Sequence, residues 1–173
     1  LDLARRALAP LLADVHRAMR ARGAETFSAL LRDARDTLAR HPVVRVRFRS
    51  EITQLMVDEF QDTDSVQCEI LRLLALDGPE EERPGLFLIG DPKQSIYGWR
   101  DADLAAYDDF LALVREVGGE VMSLSVNFRS LPAILAEVER VVRPVMRHEP
   151  GVQPAFQPLL PCEERSAEPD PLS

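Results

Sequence analysis

Three short polar clusters hold side chains that could act on a phosphate group or bind a nucleic acid. The first is the acidic pair Asp58-Glu59, within "MVDEFQDTD" (56–64). Two adjacent carboxylates can divide a hydrolytic task, since one can hold Mg²⁺ while the other orients or deprotonates an attacking water. Taken alone, such a pair more often only caps the following helix. The apolar run directly before the pair favours the hydrolytic interpretation.

The second cluster lies within "LIGDPKQSIYGWR" (88–100). Gln94 can hydrogen-bond a terminal phosphate or its attacking water without adding a charge. Tyr97 and Trp99 could stack on bases, and the adjacent Arg100 could hold the nucleic-acid backbone. The alternative is that both aromatic rings belong to the core and that Arg100 extends along its surface. A polar, glycine-containing loop is nevertheless a poor place to bury a Trp.

The third cluster is "NFRS" (127–130). Phe128 could stack on a purine, and Arg129 could neutralise charge on a phosphoryl group during transfer. A simple helix-cap turn with an exposed Arg explains this tetrapeptide equally well. Each cluster alone is modest support for a function, whereas three in order make a stronger pattern.

The elements that would position these clusters alternate from residue 54 onward. The hydrophobic pattern predicts three strands and three helices in the order strand 54–58, helix 64–76, strand 86–90, helix 102–116, strand 121–126 and helix 131–147. The apolar strands are of the type that is buried on both faces. Such alternation is typical of a parallel sheet covered by helices, and ligands of such sheets bind beyond the carboxyl ends of the strands. Each cluster directly follows one of these strands, which is the first functional signal.

The flanking regions and helix ends give further expectations. Residues 1–21 and 26–40 favour helices. The alternation in "VVRVRFR" (43–49) favours a strand, although a helical turn is possible there. Asp64 with Gln67 forms a capping-box pattern, and Ser130 is the expected cap of the last helix. Six prolines after residue 147 predict an extended or disordered tail over 148–173.

The bulk composition excludes several classes of protein. A net charge of −8 lacks the basic footprint of a nucleic-acid-binding protein, so any contact with DNA must be local. The two cysteines, Cys68 and Cys162, have neither CxxC spacing nor nearby histidines, which argues against a zinc site or a disulfide framework. No apolar run is long enough to cross a membrane, and no signal-peptide core is present. We therefore expect a cytoplasmic protein without a membrane partner.

The three clusters resemble motifs II, III and IV of UvrD/Rep-type superfamily 1 DNA helicases. The matching stretches are "LMVDEFQDTDSVQ", "LFLIGDPKQSIYGWRDAD" and "LSVNFRS". The stretches "DPKQSIYGWRDAD" and "NFRSLPAIL" are most similar to the RecB/AddA helicase–nuclease branch. The resemblance is dense over residues 27–135. It implies a partial RecA-like parallel sheet of the P-loop NTPase type, flanked by helices. In this family a helix often precedes the motif II strand, which argues against a strand over 43–49.

The resemblance also implies roles in ATP hydrolysis. Asp58 would coordinate Mg²⁺, and Glu59 would be the catalytic base. Gln94 would sense the γ-phosphate of ATP, and Arg129 would reach the same phosphate. Phe128 stands where many relatives have a Tyr that stacks on adenine.

On the DNA side, the resemblance implies that Trp99 and Tyr97 stack on the bases of single-stranded DNA. Arg100 would help to couple the DNA site to the ATP site. The expected partners are single-stranded DNA and the other subunits of a helicase–nuclease complex. Gln61 and Asp62 complete motif II, and we expect only a supporting role for them.

One part of the family's ATP site is missing from the sequence. ATP hydrolysis there needs a phosphate-binding loop of the form GxxxxGK[ST], whose lysine and amides cradle the phosphates. The sequence has no such loop, and its single lysine, Lys93, lies inside motif III. We therefore expect a sheet without its phosphate-loop strand, and a chain that does not hydrolyse ATP usefully by itself.

The resemblance implies a division of the chain into four parts. These are a helical segment over 1–42, the C-terminal part of a first RecA-like domain over 43–130, a helix leading into a second RecA-like domain over 131–147, and the tail over 148–173. On this interpretation the chain is an internal fragment of an ATP-dependent DNA helicase or helicase–nuclease subunit that acts in DNA repair and recombination. The alternative is a free-standing, catalytically silent module that binds single-stranded DNA or a protein partner. A beginning without Met favours the fragment, whereas a start codon directly upstream would favour the module.

Overall fold

The computed structural model describes residues 2–100 and 102–163, without the side chains of Asp2, Leu3, Arg5 and Arg100. Six helices of eight or more residues occur in this part of the chain: α1 Asp2–Ala21, α2 Phe27–Arg40, α3 Pro42–Glu51, α4 Ser65–Ala75, α5 Leu104–Glu116 and α6 Pro132–Val142. Four strands accompany them: β1 Gln54–Val57, β2 Gly85–Leu88, β3 Val126–Asn127 and β4 Leu160–Pro161. Short 3-10 helices cover Phe60–Asp62, Glu80–Glu82, Pro92–Gln94 and Gly98–Arg100.

The first sheet is the parallel pair β1–β2, in which Met56 faces Phe87 and Val57 faces Leu88. Helix α4 connects the two strands, so the predicted strand–helix–strand unit and the mixed α/β organisation are confirmed. The predicted capping box is also present, because Asp64 accepts from the Gln67 amide while the Gln67 side chain accepts from the Asp64 amide. Parallel pairing brings the carboxyl ends of β1 and β2 to the same edge.

The core lies under one face of this sheet and is centred on Phe60. The Phe60 ring centroid is 5.1 Å from that of Tyr107 and 5.2 Å from that of Phe110. The buried residues packed with these rings include Cys68, Leu71 and Leu76, and the inward side chains of the strands are Leu55, Val57, Leu86 and Leu88. Helix α5 is thus anchored to the turn that directly follows β1.

The opposite face of the sheet is exposed. Met56 is 68% exposed, Phe87 46% and Ile89 47%. The prediction that both strands are buried on both faces is therefore wrong for the described chain, in which alternate side chains point outward.

Residues 43–49 belong to helix α3, so the predicted strand there is wrong. The last of the alternating arginines, Arg49, has a role at the end of a neighbouring helix. Arg49 is only 6% exposed, and it donates to the carbonyl oxygens of Leu73 and Leu74 at 2.6 and 3.0 Å. A charged donor at the carboxyl end of α4 satisfies carbonyls that have no partner within the helix.

The predicted strand 121–126 is also wrong, because residues 121–125 have no regular structure. Strand β3 begins only at Val126 and pairs in parallel with β4, with Val126 facing Leu160. The two strands form a sheet separate from β1–β2. Part of the tail predicted to be extended or disordered is thus a strand, while residues 164–173 lie outside the described part of the chain.

The remaining helices agree with the predictions from the sequence, with differences at their ends. Helices α1, α2 and α5 are confirmed, while α6 ends at Val142 rather than near residue 147. Leu131, not Ser130, is the cap of α6, and Pro132 is its first residue. Among the described residues, no helix combines the length and the apolar character that crossing a membrane requires.

Candidate functional site

The acidic pair follows β1 directly, and its backbone has an unusual conformation. Glu59 has φ 52° and ψ 41°, and within residues 2–100 and 102–163 it is the one non-glycine residue with positive φ. Its amide donates to Asp58 Oδ1 at 2.9 Å. The left-handed conformation costs a residue with a side chain about 1–2 kcal/mol, and such positions cluster at functional sites. Both carboxylates are exposed, whereas the next residue, Phe60, enters the core.

Gln61 connects this acidic turn to the loop after β2. Its side chain is almost fully buried, at 2% exposure. The amide Nε2 donates to Glu59 Oε2 at 2.6 Å, and the amide Oε1 accepts from the Asp91 amide at 2.9 Å. The Gln61 carbonyl accepts from Ser95 Oγ at 3.1 Å. The bonds from Asp91 and Ser95 join the first and second clusters, while the bond to Glu59 lies within the first.

Within the second cluster, Asp91 organises the polar residues. Its carboxylate accepts from Gln94 Nε2 at 3.0 Å and pairs with Lys93 Nζ at 2.9 Å. Burial acts to raise the pKa of Asp91, but the hydrogen bonds from Gln94 and Lys93 outweigh it, so the pKa lies below its ordinary value. Gln94 itself is exposed, so its amide can reach a ligand at this edge.

The aromatic residues lie a few positions further along the same loop. The rings of Tyr97 and Trp99 meet edge to face, with centroids 6.1 Å apart. Trp99 is 73% exposed, so it is not a core residue. The Arg100 side chain lies outside the part of the chain that the structure describes. The chain after this loop is also tied back to the first cluster, because the Asp103 amide donates to the Thr63 carbonyl at 3.2 Å.

The third cluster lies beside the other sheet. Phe128 is 72% exposed and Arg129 is also exposed, at the turn between β3 and α6. Asn127 Oδ1 accepts from the amides of Arg129 and Ser130 at 2.9 and 2.7 Å, which shapes this turn. The structure therefore joins two of the three predicted clusters through hydrogen bonds and places the third on a separate sheet.

The acidic turn fits the way in which proteins hold Mg²⁺. The described residues contain no group of three or more His, Cys, Asp or Glu side chains able to enclose a metal ion. Mg²⁺ is usually bound through one or two carboxylates, and waters and substrate phosphates complete its octahedron. Asp58 uses one oxygen for the Glu59 amide and lies exposed at the strand end, which suits that mode. Nearby, Asp62 has a buried Oδ1 without a hydrogen-bond partner among the described residues, and burial raises its pKa with a smaller contribution from Glu59.

Two residues of the site were undervalued by sequence reasoning. The sequence predicts only a supporting role for Gln61 and indicates none for Asp91. A signal for Asp91 was available, because an Asp before a Pro often begins a helical turn, and Asp91 does cap Pro92–Gln94. No pattern in the sequence indicates which partners the Gln61 amide would find.

Known proteins are similar in sequence to much of this chain. Residues 2–114 match the family model described as "UvrD/REP helicase N-terminal domain". DNA helicase II of Escherichia coli (strain K12) is 34% identical over 120 residues, which is 69% of this chain and 16% of that protein. RecBCD enzyme subunit RecB of Mycolicibacterium smegmatis is 37% identical over 134 residues, which is 77% of this chain and 12% of that protein. A probable DNA helicase of Mycoplasma pneumoniae is 35% identical over 127 residues, which is 71% of this chain and 22% of that protein. The chain thus spans only a small part of the length of each of these relatives.

The hydrogen bonds to Asp91 predict a specific response to acid. Because the folded-state pKa of Asp91 is lowered, its ionised form stabilises the fold above the ordinary Asp pKa of about 4, and this stability is lost as the pH falls below that value. We expect urea denaturation to show a larger loss of stability for wild type than for Asp91→Asn between about pH 6 and about pH 3. Gln94→Ala, which removes one of the bonds, should give an intermediate loss. Equal losses for wild type and Asp91→Asn would contradict this assignment.

Proposed function

Because the chain belongs to the UvrD/Rep helicase family, we propose that it is the part of an ATP-dependent DNA helicase or helicase–nuclease subunit that links ATP hydrolysis to movement on single-stranded DNA. The observation that supports this most is the chain of hydrogen bonds from Glu59 through Gln61 to Asp91 and Gln94. It begins at a carboxylate suited to activate water and ends in the loop that carries Tyr97 and exposes Trp99. The two ends are the two sites that such an enzyme must couple.

The hydrolytic roles follow from the positions of the polar atoms. Glu59 Oε2 is occupied by the Gln61 amide, which leaves Oε1 to accept a proton from the attacking water. Asp58 would hold Mg²⁺, which supplies charge neutralisation at the phosphates. Gln94 now donates to Asp91, and it would exchange that bond for one to the terminal phosphate. Lys93 would remain beside Asp91, so the carboxylate would not be left unpaired after the exchange.

In this proposal the third cluster forms the other side of the nucleotide site. Phe128 would stack on the adenine, and Arg129 would neutralise charge on the γ-phosphate. Both side chains are exposed next to the β3–β4 sheet. We assign that sheet to the beginning of a second RecA-like domain, and the family match that ends at residue 114 supports a boundary between it and the first.

The β1–β2 pair would then be a part of the first RecA-like sheet. The exposure of Met56, Phe87 and Ile89 on one face supports this, because strands of such sheets are normally covered on both faces. The phosphate-binding loop would come from residues beyond the 173 in this chain. The small share of each relative's length that the chain spans is consistent with this arrangement.

DNA contact by this chain must be local because its net charge is −8. The loop that carries Tyr97 and Trp99, here called the aromatic loop, suits such contact. Base stacking on an exposed ring does not depend on an overall positive charge. A second candidate function, a silent module that binds single-stranded DNA without hydrolysing ATP, is favoured by the missing GxxxxGK[ST] loop.

We expect the chain to bind a fluorescently labelled oligo-dT at low salt, with an affinity that falls as salt is added. Trp99→Ala should weaken this binding by about 5- to 150-fold, because stacking one base contributes about 1–3 kcal/mol. Fluorescence anisotropy measures the affinity. The matched control is Phe27→Ala, which removes another exposed aromatic ring, 76% exposed at the start of α2. If both variants bind like wild type, the aromatic loop is not a DNA site in this chain.

Phosphate release tests the hydrolytic part. The 173-residue chain with Mg²⁺ and ATP should release phosphate no faster than its Glu59→Gln variant. The reason is that the phosphate-loop lysine is absent, and electrostatic support of this kind contributes several kcal/mol to phosphoryl transfer. Release that is fast in wild type and abolished in Glu59→Gln would show that the chain is an ATPase by itself.

A further inference from the structure

Phe60 and Gln61 are the largest fully buried side chains among the described residues. Burial of Phe60 follows from its hydrophobic ring, but burial of an amide lowers stability unless its polar atoms find partners. Both ends of the Gln61 amide have partners, and these belong to the two loops of the candidate site. A carboxylate can only accept and a backbone amide can only donate, so this pair of partners fixes the orientation of the Gln61 amide.

The loop after β2 is shaped to meet this amide. A Cβ atom added at Gly90 would lie 2.9 Å from Gln61 Oε1 and 3.1 Å from the Gln61 backbone nitrogen. Contacts that short are unfavourable, so a glycine at this position allows the second loop to approach the first. Ser95 Oγ adds a bond to the Gln61 carbonyl, two residues before Tyr97. One hydrogen bond therefore separates Gln61 from Ser95, and the aromatic pair follows a few residues along the chain.

We propose that Gln61 is a positioning residue that holds the Glu59 carboxylate and the Asp91 backbone as one unit, so that a change of hydrogen bonding at Glu59 moves the loop that carries Trp99. The importance of this device rests on the proposed function, but its physical test does not. A space-filling role would need only the volume of Gln61. A positioning role needs a donor toward residue 59 and an acceptor toward residue 91.

The test exchanges the donor and the acceptor. Gln61→Glu places a carboxylate against the Glu59 carboxylate, so it removes the bond and adds repulsion. In the double variant Glu59→Gln/Gln61→Glu, the amide introduced at position 59 can donate to the carboxylate introduced at position 61. The second oxygen of that carboxylate still accepts from the Asp91 amide. Glu59→Gln alone keeps a carbonyl oxygen that can accept from Gln61, so it should be mild.

Two properties of the chain without nucleotide or DNA are measured: the urea unfolding midpoint and the acrylamide quenching of Trp99, its only tryptophan. Gln61→Glu should lower the folding equilibrium constant by about tenfold or more, as expected when a buried hydrogen bond is lost, and should change the quenching of Trp99. The exchanged double variant should recover most of both properties. If Gln61→Glu does not fold, a cooperative urea unfolding transition in the double variant would support the positioning role, and its absence would overturn it.

Thr63→Val is the matched control. It removes a buried hydrogen bond in the same turn, from Thr63 Oγ1 to the Phe60 carbonyl at 2.7 Å, without altering either partner of the Gln61 amide. It should lower the urea midpoint and leave the quenching of Trp99 unchanged. A double variant no better than Gln61→Glu would overturn the proposal, as would Gln61→Met with wild-type quenching. Because neither ligand is present, these outcomes are distinct from a failure to bind DNA or to hydrolyse ATP.

Discussion

The Gln61 amide lies between two loops and has one hydrogen-bond partner in each, and the remaining geometry of the site is consistent with this constraint. For Nε2 to reach the Glu59 carboxylate, the chain must turn sharply after β1, and Glu59 adopts the left-handed conformation. For Oε1 to reach the Asp91 amide, the second loop must approach closely, and Gly90 leaves the space for it. The hydrogen bonds of Gln61 thus offset part of the cost of the unfavourable conformation of Glu59.

The two parallel strands bring the two loops close enough for the Gln61 amide to contact both. Because β1 and β2 run in the same direction, their carboxyl ends meet at one edge, and the two loops begin as neighbours. The Phe60 ring then fixes the first loop in the core against α5, whose first turn follows the aromatic loop. In the proposed positioning role of Gln61, a displacement at the acidic turn would be passed to the loop that carries Trp99. Family membership and this connected geometry are both consistent with the proposed function.

The elements nearest the site were the most predictable from the sequence. The strand–helix–strand unit followed from short apolar runs around an amphipathic helix, and the Asp64–Gln67 capping box marked the start of α4. The failures have physical reasons. Residues 43–49 alternate apolar residues with arginines but form a helix, in which Arg49 bonds to carbonyls at the end of α4. A periodicity argument cannot distinguish such a segment from a strand. Strand β3 depends on its distant partner β4, and such long-range pairing leaves no local signal. The partners of Gln61 could not be predicted either. They depend on the approach of two loops that are thirty residues apart in sequence, at positions 61 and 91.

Amide hydrogen exchange at Asp91 tests the central claim most directly. Its backbone N–H has a side-chain acceptor, Gln61 Oε1, rather than a strand partner. If Gln61 holds the two loops together, the Asp91 amide should exchange as slowly as the Ile89 amide, which bonds to the Val57 carbonyl within the frame of the sheet. The protection at Asp91 should then disappear in Gln61→Met while that at Ile89 remains. An Asp91 amide that exchanges as fast as those of residues 121–125, which have no regular structure, would contradict the claim that the two loops form one unit.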